Sequence, residues 1–580
     1  MKSIQELFKY AKPYKMFVAL APILMAIEVL MDLIQPFVLQ RIIDVGIANG
    51  DTDYVISRSL LMICAAFIGL IGGAGCTIVS SIAAIHFSTD VRKDLFTKIS
   101  HFSSENRDAF GVGKLITIVT NDLTIVQNAF MMTLRVLVRG PLLFIGSIII
   151  VYINARELFP ILFVIIPILV FCIIILSRKA GKLFGHVQEA IDALNKKVQE
   201  NLAGIRVIKA FVRKDYEINT FKTVNDQLTK KAINAEQVIT VLMPIMILII
   251  NSATVFTLAL GSFKVANDVI QVGVIISFIN YLNIILMSLM TTSMVMMQLM
   301  RAIPSAERIQ SIFNIKINIE QQGNAVAFNG IRQSIEFKNV SFSYSKNGEN
   351  VLNSVSFKIN KGEKIGIIGP TGSGKSTLIK LIPRVYDVDE GEILIDGINV
   401  KDYDLQTLRS AIGFTPQKSI LFSGSIEENL RYGKDNATAV ELETASRNAG
   451  ALEFIEKLEN RFSHKLAQQS TNLSGGQKQR LSISRAFVRK PSVLILDDST
   501  SAVDASTERL IINALNKEYR NTTTFIIASK ISSIVGCDQI LVVDDGKLVG
   551  IGIHRDLLEN CSLYQEIYET QGGEEWAVVE

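Results

Sequence analysis

Residues 364–382, KIGIIGPTGSGKSTLIKLI, run from an apolar strand through a glycine-rich turn into an amphipathic helix. Gly369, Pro370, Thr371, Gly372, Ser373 and Gly374 form the turn, and Lys375, Ser376 and Thr377 open the helix. Glycines let backbone N–H groups close around phosphates, a lysine reaches the β- and γ-phosphates, and the serine hydroxyl ligates Mg²⁺. Taken alone, the turn is a flexible loop. In its strand–loop–helix context it predicts binding of ATP and Mg²⁺. A second strand, SVLILD, ends in Asp497 and is followed directly by another acid, Asp498. Asp497 is placed to hold Mg²⁺, directly or through water. The second acid needs a separate account.

A third element is NLSGGQ, residues 472–477. Ser474, Gly475 and Gly476 precede a helical stretch beginning with Gln477, so their amides offer an anion site at a positive helix end. Alone it is only an N-cap. Together with the glycine-rich loop upstream and the acidic strand downstream it gains a specific meaning.

These residues need a positioning scaffold, and the chain supplies two kinds. At 580 residues it exceeds one ordinary core. Mean hydropathy is +0.33, high for a soluble protein, and the apolar residues concentrate before residue 300. Six stretches are long enough to span a bilayer: 16–41, 55–87, 131–153, 158–177, 238–263 and 269–300. The loops after the second and fourth are long and helix-forming. The latter carries a dozen Lys and Arg, whereas the short loop DVGIANGDTD has none. This asymmetry places the long loops, the N-terminus and the C-terminal half in the cytoplasm. The expected fold is therefore a six-helix transmembrane domain (1–310), a linker (311–334) and an α/β P-loop domain (335–580). The formal charge of +4 is small for this length and argues against a nucleic-acid partner. Cys64, Cys76, Cys172, Cys537 and Cys561 have no metal-site spacing and read as free buried thiols. The amphipathic, basic N-terminus does not read as a cleavable signal.

Within the first span, Glu28 and Asp32 share one helix face, and Gln35 continues it. Carboxylates in a span are costly, so they are functional candidates by default. As free groups they favour cationic amphipathic ligands; the competing reading is a structural pair with a polar group on another helix. The sixth span is rich in methionine, with Met287, Met290, Met294, Met296, Met297 and Met300, and it carries Asn280 and Asn283. Flexible thioethers suit varied apolar ligands but serve ordinary packing equally well.

The P-loop, the acidic strand, LSGGQ and the six spans together resemble a half-transporter of the ATP-binding cassette (ABC) exporters of the multidrug type, over essentially the whole chain. The resemblance implies that two such units pair, each ATP lying between one unit's P-loop and the other's Ser474–Gln477 equivalent. It further implies roles for Tyr344 in IEFKNVSFSYS, stacking on adenine, for Gln417 in FTPQKSILFSGSI, contacting Mg²⁺, and for Asp504 in SAVD as the D-loop acid. The stretches SENRDAFGVGKLITIVTNDL and AFVRKDYEINTF match its docking helices.

Two residues depart from the family pattern. Asp498 stands where the family has a glutamate that acts as general base or orients water. Ser529, in IIASKISSI, stands where it has a switch histidine. Withdrawing a carboxylate by roughly 1 Å can cost about 10²-fold in rate. Gln468, where the family often has glutamate, is a weaker departure pointing to altered coupling. The pattern resembles the degenerate subunit of a heterodimeric bacterial exporter, whose partner chain carries the complete site. The expected function is ATP-driven export of amphipathic drugs or lipids from the cytoplasm or inner leaflet of the cell membrane. The alternatives are a homodimeric or dedicated exporter of a peptide, lipid or siderophore, and an ATP-gated channel or regulatory subunit. The spans exclude a soluble ATPase.

Overall fold

The computed structural model describes residues 6–316, 319, 325–345, 348–501 and 503–571, and omits the side chains of Ser177, Leu242 and Met297. The chain divides into two compact units. One comprises Met1–Ser100 and Val112–Ile315; the other comprises His101–Gly111 and Lys316–Glu580.

Among the described residues, the first unit has six helices long and apolar enough to cross a membrane: Phe8–Ile47, Thr52–Ser100, Val112–Asn154, Pro160–Ala203, Lys214–Ala266 and Val272–Asn314. Each overlaps one predicted span, the fourth and sixth starting two and three residues inside it, and most run well past it. The 49-residue second helix is about 70 Å long at 1.5 Å per residue, against a hydrocarbon layer of about 30 Å. The first helix packs chiefly on the second, the third on the sixth and the fourth on the fifth. Close approach of the first pair depends on glycine: a Cβ at Gly72 would lie 2.9 Å from the Leu24 carbonyl oxygen. Polar ties lock other pairs. Tyr281 Oη on the sixth helix donates to the Leu33 carbonyl on the first at 2.7 Å. Buried Asp122 accepts from Ser305 Oγ at 3.0 Å and from Arg308 Nε at 2.7 Å. All five cysteines are free, but Cys64 is exposed and Cys172 only half-buried, which corrects the expectation of five buried thiols. Both lie on spans, where outward apolar groups face lipid rather than a core.

The second unit is built on two larger sheets. A six-stranded sheet has the order Lys547–Gly552, Gln539–Asp544, Lys364–Ile368, Thr523–Ile527, Val493–Asp497, Ile412–Thr415. All its neighbours are parallel except the first pair. The buried runs Val493–Leu496 and Phe525–Ile527 have the continuous apolar character expected of strands covered on both faces. An antiparallel sheet pairs Ser334–Phe342 with Leu352–Asn360 and Glu390–Ile395. The short helix Ser104–Phe110, from the loop between the second and third membrane helices, belongs to this unit.

Candidate nucleotide site and membrane cavity

Parallel strands present their carboxyl ends on one edge, where ligands of such sheets bind. The glycine-rich loop follows Lys364–Ile368, Asp498 follows Val493–Asp497, Gln417 lies two residues past Ile412–Thr415, and Ser529 two past Thr523–Ile527. Topology thus brings together four segments spread over more than 150 residues.

The loop needs its glycines. Gly369 and Gly374 have φ of 152° and 101°, and a Cβ at Gly374 would lie 2.8 Å from the Val351 carbonyl oxygen. Gly374 caps the helix Lys375–Leu381. Lys375 Nζ donates to the carbonyls of Gly369 and Pro370 at 2.8 and 2.6 Å and lies 3.4 Å from Ser373 Oγ. Burial lowers the Lys375 pKa, opposed by the charges of Asp498 and Asp497. Thr371 and Gly372 are exposed at the rim.

Ser376 Oγ donates to Asp497 Oδ1 at 2.7 Å. Asp497 is buried, which raises its pKa, while the Ser376 hydrogen bond lowers it. It has no ion-pair partner among the described residues. A buried carboxylate without a cation, touching a hydroxyl at the phosphate edge, fits Mg²⁺ and its preference for hard oxygen ligands.

Asp498 is differently placed. Its φ is +46°, a left-handed conformation that aspartate tolerates better than most residues. Ser529 Oγ donates to Asp498 Oδ1 at 3.2 Å, and Gln417 Nε2 approaches Oδ2 at 3.4 Å. The two departures from the family pattern therefore touch each other. Gln571 fixes the Ser529 segment: its Nε2 donates to the Ser529 carbonyl at 2.8 Å, and its Oε1 accepts from Ile531 N–H at 2.9 Å. Nothing in the local sequence marked Gln571 for this role.

Ser474 caps the helix Gly475–Val488: its Oγ accepts from Gln477 N–H at 3.3 Å, and Gln477 Oε1 accepts from Ser474 N–H at 2.9 Å. Gly475 is exposed, and a Cβ there would meet nothing within 4 Å. Gly476 follows it in the first turn. Asp504 caps the helix Ala505–Lys517, bonding Thr507 N–H at 3.0 Å and the Ser506 hydroxyl; these bonds hold its carboxyl below the usual range.

Tyr344 is partly exposed, and its hydroxyl shares a 2.9 Å hydrogen bond with Thr377 Oγ1. Its ring meets that of Tyr386 edge-on at 5.3 Å, and Tyr386 Oη donates to Asp108 Oδ2 at 3.2 Å. Burial and the charge of Asp108 push the Tyr386 phenol up to about 12. Asp108 lies on the helix Ser104–Phe110. A chain of contacts thus links the P-loop helix to the first docking stretch. Sequence reading marked both ends of it but not Tyr386.

In the membrane unit, Asp32, Asn280, Asn283 and Met287 line a cavity of about 610 Å³ with Arg135 and Arg139. Glu28, Met290 and Met294 do not line it; Met290 is buried in packing and Met294 is exposed elsewhere. Arg139 Nη2 lies 2.9 Å from Asp32 Oδ2 and 3.2 Å from Glu28 Oε1. Of the two readings of these acids, the geometry matches the structural pairing: a polar group on another helix is present, and it is a guanidinium.

Similarity to known proteins follows the same division. Residues 18–289 match the ABC transporter transmembrane region, and residues 352–501 match the ABC transporter domain. The chain is 38% identical over 572 residues to the ABC transporter ATP-binding protein YfiB of Bacillus subtilis, covering 99% of both chains. It is 33% identical to an ABC transporter ATP-binding protein of Mycobacterium tuberculosis, covering 97% of both. A solved structure of a bacterial Atm1-family ABC exporter with ATP bound superposes with a TM-score of 0.80 at 25% identity, covering 96% of this chain and 98% of that one.

Proposed function

Because the chain belongs to the ABC transporters, as a half-transporter with an exporter fold, we propose that it pairs with a different half-transporter and contributes the slower of two ATP sites. It is a multi-pass membrane protein with its nucleotide-binding domain in the cytoplasm, and an ATPase coupled to transport. ABC exporters work as dimers. In this reading residues 1–310 form the pathway, 311–334 connect, and 335–580 bind ATP. The complex exports amphipathic drugs or lipids. Tyr344 stacks on adenine, residues 369–377 cradle the phosphates, and Ser376, Gln417 and Asp497 serve Mg²⁺. The exposed amides of Ser474–Gln477 serve the partner's ATP in trans, and Asp504 positions that signature edge.

The contact between Ser529 and Asp498 carries the reading. A general base needs a correctly placed lone pair and, after accepting a proton, a group that stabilises the result. Asp498 is held by two uncharged donors, and Ser529 has no imidazole to offer a γ-phosphate. The outward-facing Gly475 supports use of the signature by another chain. The second docking stretch likewise leaves apolar side chains open to a partner: Phe211 and Val212 are 73% and 85% exposed.

The test is nucleotide trapping during turnover of the reconstituted pair, with ATP labelled at the γ-phosphate. Intact ATP occluded on this chain is expected. Hydrolysis by isolated homodimers at about 1–10 s⁻¹ would contradict the assignment.

A further inference from the structure

The membrane cavity pairs its charges unevenly. Three ionic side chains line it: Asp32, Arg135 and Arg139. Asp32 is bound to Arg139 at 2.9 Å, and Glu28, outside the lining, reaches the same nitrogen at 3.2 Å. Arg135 is exposed to the cavity and forms no ion pair or hydrogen bond among the described residues. The four formal charges sum to zero, so local pairing decides which ligand charge is accommodated.

We propose that this cavity binds amphipathic monoanions carrying a carboxylate or similar acid head, with Arg135 as the head-group partner. The proposal rests on the reading of the chain as a transporter of amphipathic molecules and names their class. An organic cation would have to take Asp32 from Arg139, and it would meet two guanidinium groups one helical turn apart. An acid head meets a planar, permanently charged fork whose donors match it. Asn280 and Asn283 donate Nδ2 to the carbonyls of Ile276 and Ile279 at 2.9 and 3.0 Å. Each keeps a second N–H and a carbonyl oxygen to orient the head. Leu39, Leu143 and Met287 supply apolar wall. The volume of about 610 Å³ suits one drug-sized ligand.

The test is equilibrium binding to the full chain in lipid nanodiscs without nucleotide, read by fluorescence against empty nanodiscs. The probes are 11-(dansylamino)undecanoic acid, its methyl ester and the matching trimethylammonium compound. The acid should bind about tenfold more tightly than either analogue. Arg135→Gln should bring it to the level of the ester, while Arg135→Lys should keep most of the preference and show that the cavity still forms. Dansylglycine, the same fluorophore and acid without the chain, separates an acid taken from water from one entering with its tail from the bilayer. Arg135-dependent binding of either acid supports the proposal. It is overturned if the ammonium compound binds most tightly, if acid and ester bind equally, or if Arg135→Gln keeps the preference. Because no ATP is used, a failure of ATP-driven export would leave this result standing.

Discussion

The molecule holds two pairs of acids, and their neighbours give them opposite fates. Asp497 and Asp498, at the end of a sheet strand, are met by uncharged donors: Ser376, Ser529 and Gln417. Glu28 and Asp32, on a membrane helix, are met by Arg139. An acid held by neutral donors keeps its charge available for a cation from outside. An acid held by a guanidinium has used its charge within the fold. Of the first pair, Asp497 is suited to Mg²⁺; the second pair holds helices together and leaves Arg135 as the cavity's unpaired ionic group among the described residues.

From that difference, breaking the membrane pair should do the most damage. Arg139→Leu strands two carboxylates in a span, at a cost of about 3 kcal/mol. The folded fraction in membranes should fall more than tenfold, and Glu28→Gln with Asp32→Asn should restore much of it. Solubilised yield and thermal stability would show this. No rescue by the double substitution would mean that Arg139 acts by packing alone.

The strand-end pair should respond in ligand binding rather than in folding. Asp497→Asn should weaken Mg²⁺-dependent ATP binding at this chain's site by about tenfold or more, with thermal stability without nucleotide little changed or raised, because the carboxylate it removes is buried. A large loss of stability would place Asp497 among the structural acids instead.

A smaller effect is expected along the contacts from Tyr344 through Tyr386 to Asp108. Tyr386→Phe keeps the ring against Tyr344 and removes the hydroxyl that reaches Asp108. Substrate stimulation of ATPase activity should fall roughly two- to fivefold, the weight of one long, exposed hydrogen bond at the low end of the usual range of about 0.5–1.5 kcal/mol, while KM for MgATP changes less than twofold. An equal change in both would make Tyr386 part of the nucleotide site only.

The two acid pairs were also unequally legible. The nucleotide residues lie in short contiguous motifs whose strand–loop–helix context can be read locally, so Lys375, Ser376 and Asp497 stand out from the sequence alone. The membrane pair was visible as two acids, but its partner lies 107 residues beyond Asp32 on a different helix. A signal was there: the predicted span 131–153 contains Arg135 and Arg139, and arginine in a span is as costly as a carboxylate. Setting the two costs against each other would have suggested the pairing. The Asp498–Ser529 contact has a similar origin, since adjacency of strands Val493–Asp497 and Thr523–Ile527 in the sheet creates it. Tyr386 and Gln571 act through tertiary neighbours alone, so no local spacing marks them.

The central claim is that Asp498 sits in a slow site while Ser474–Gln477 serve a fast one. Steady-state ATPase of the reconstituted pair at saturating MgATP tests it directly. Ser474→Ala with Gly476→Asp removes a helix cap and places a carboxylate where phosphate charge must be stabilised; it should lower the rate by about 100-fold or more. Asp498→Asn should lower it less than threefold, since it damages a site already slow. Equal losses from the two variants would contradict the asymmetry and make Asp498 a working base in two equivalent sites.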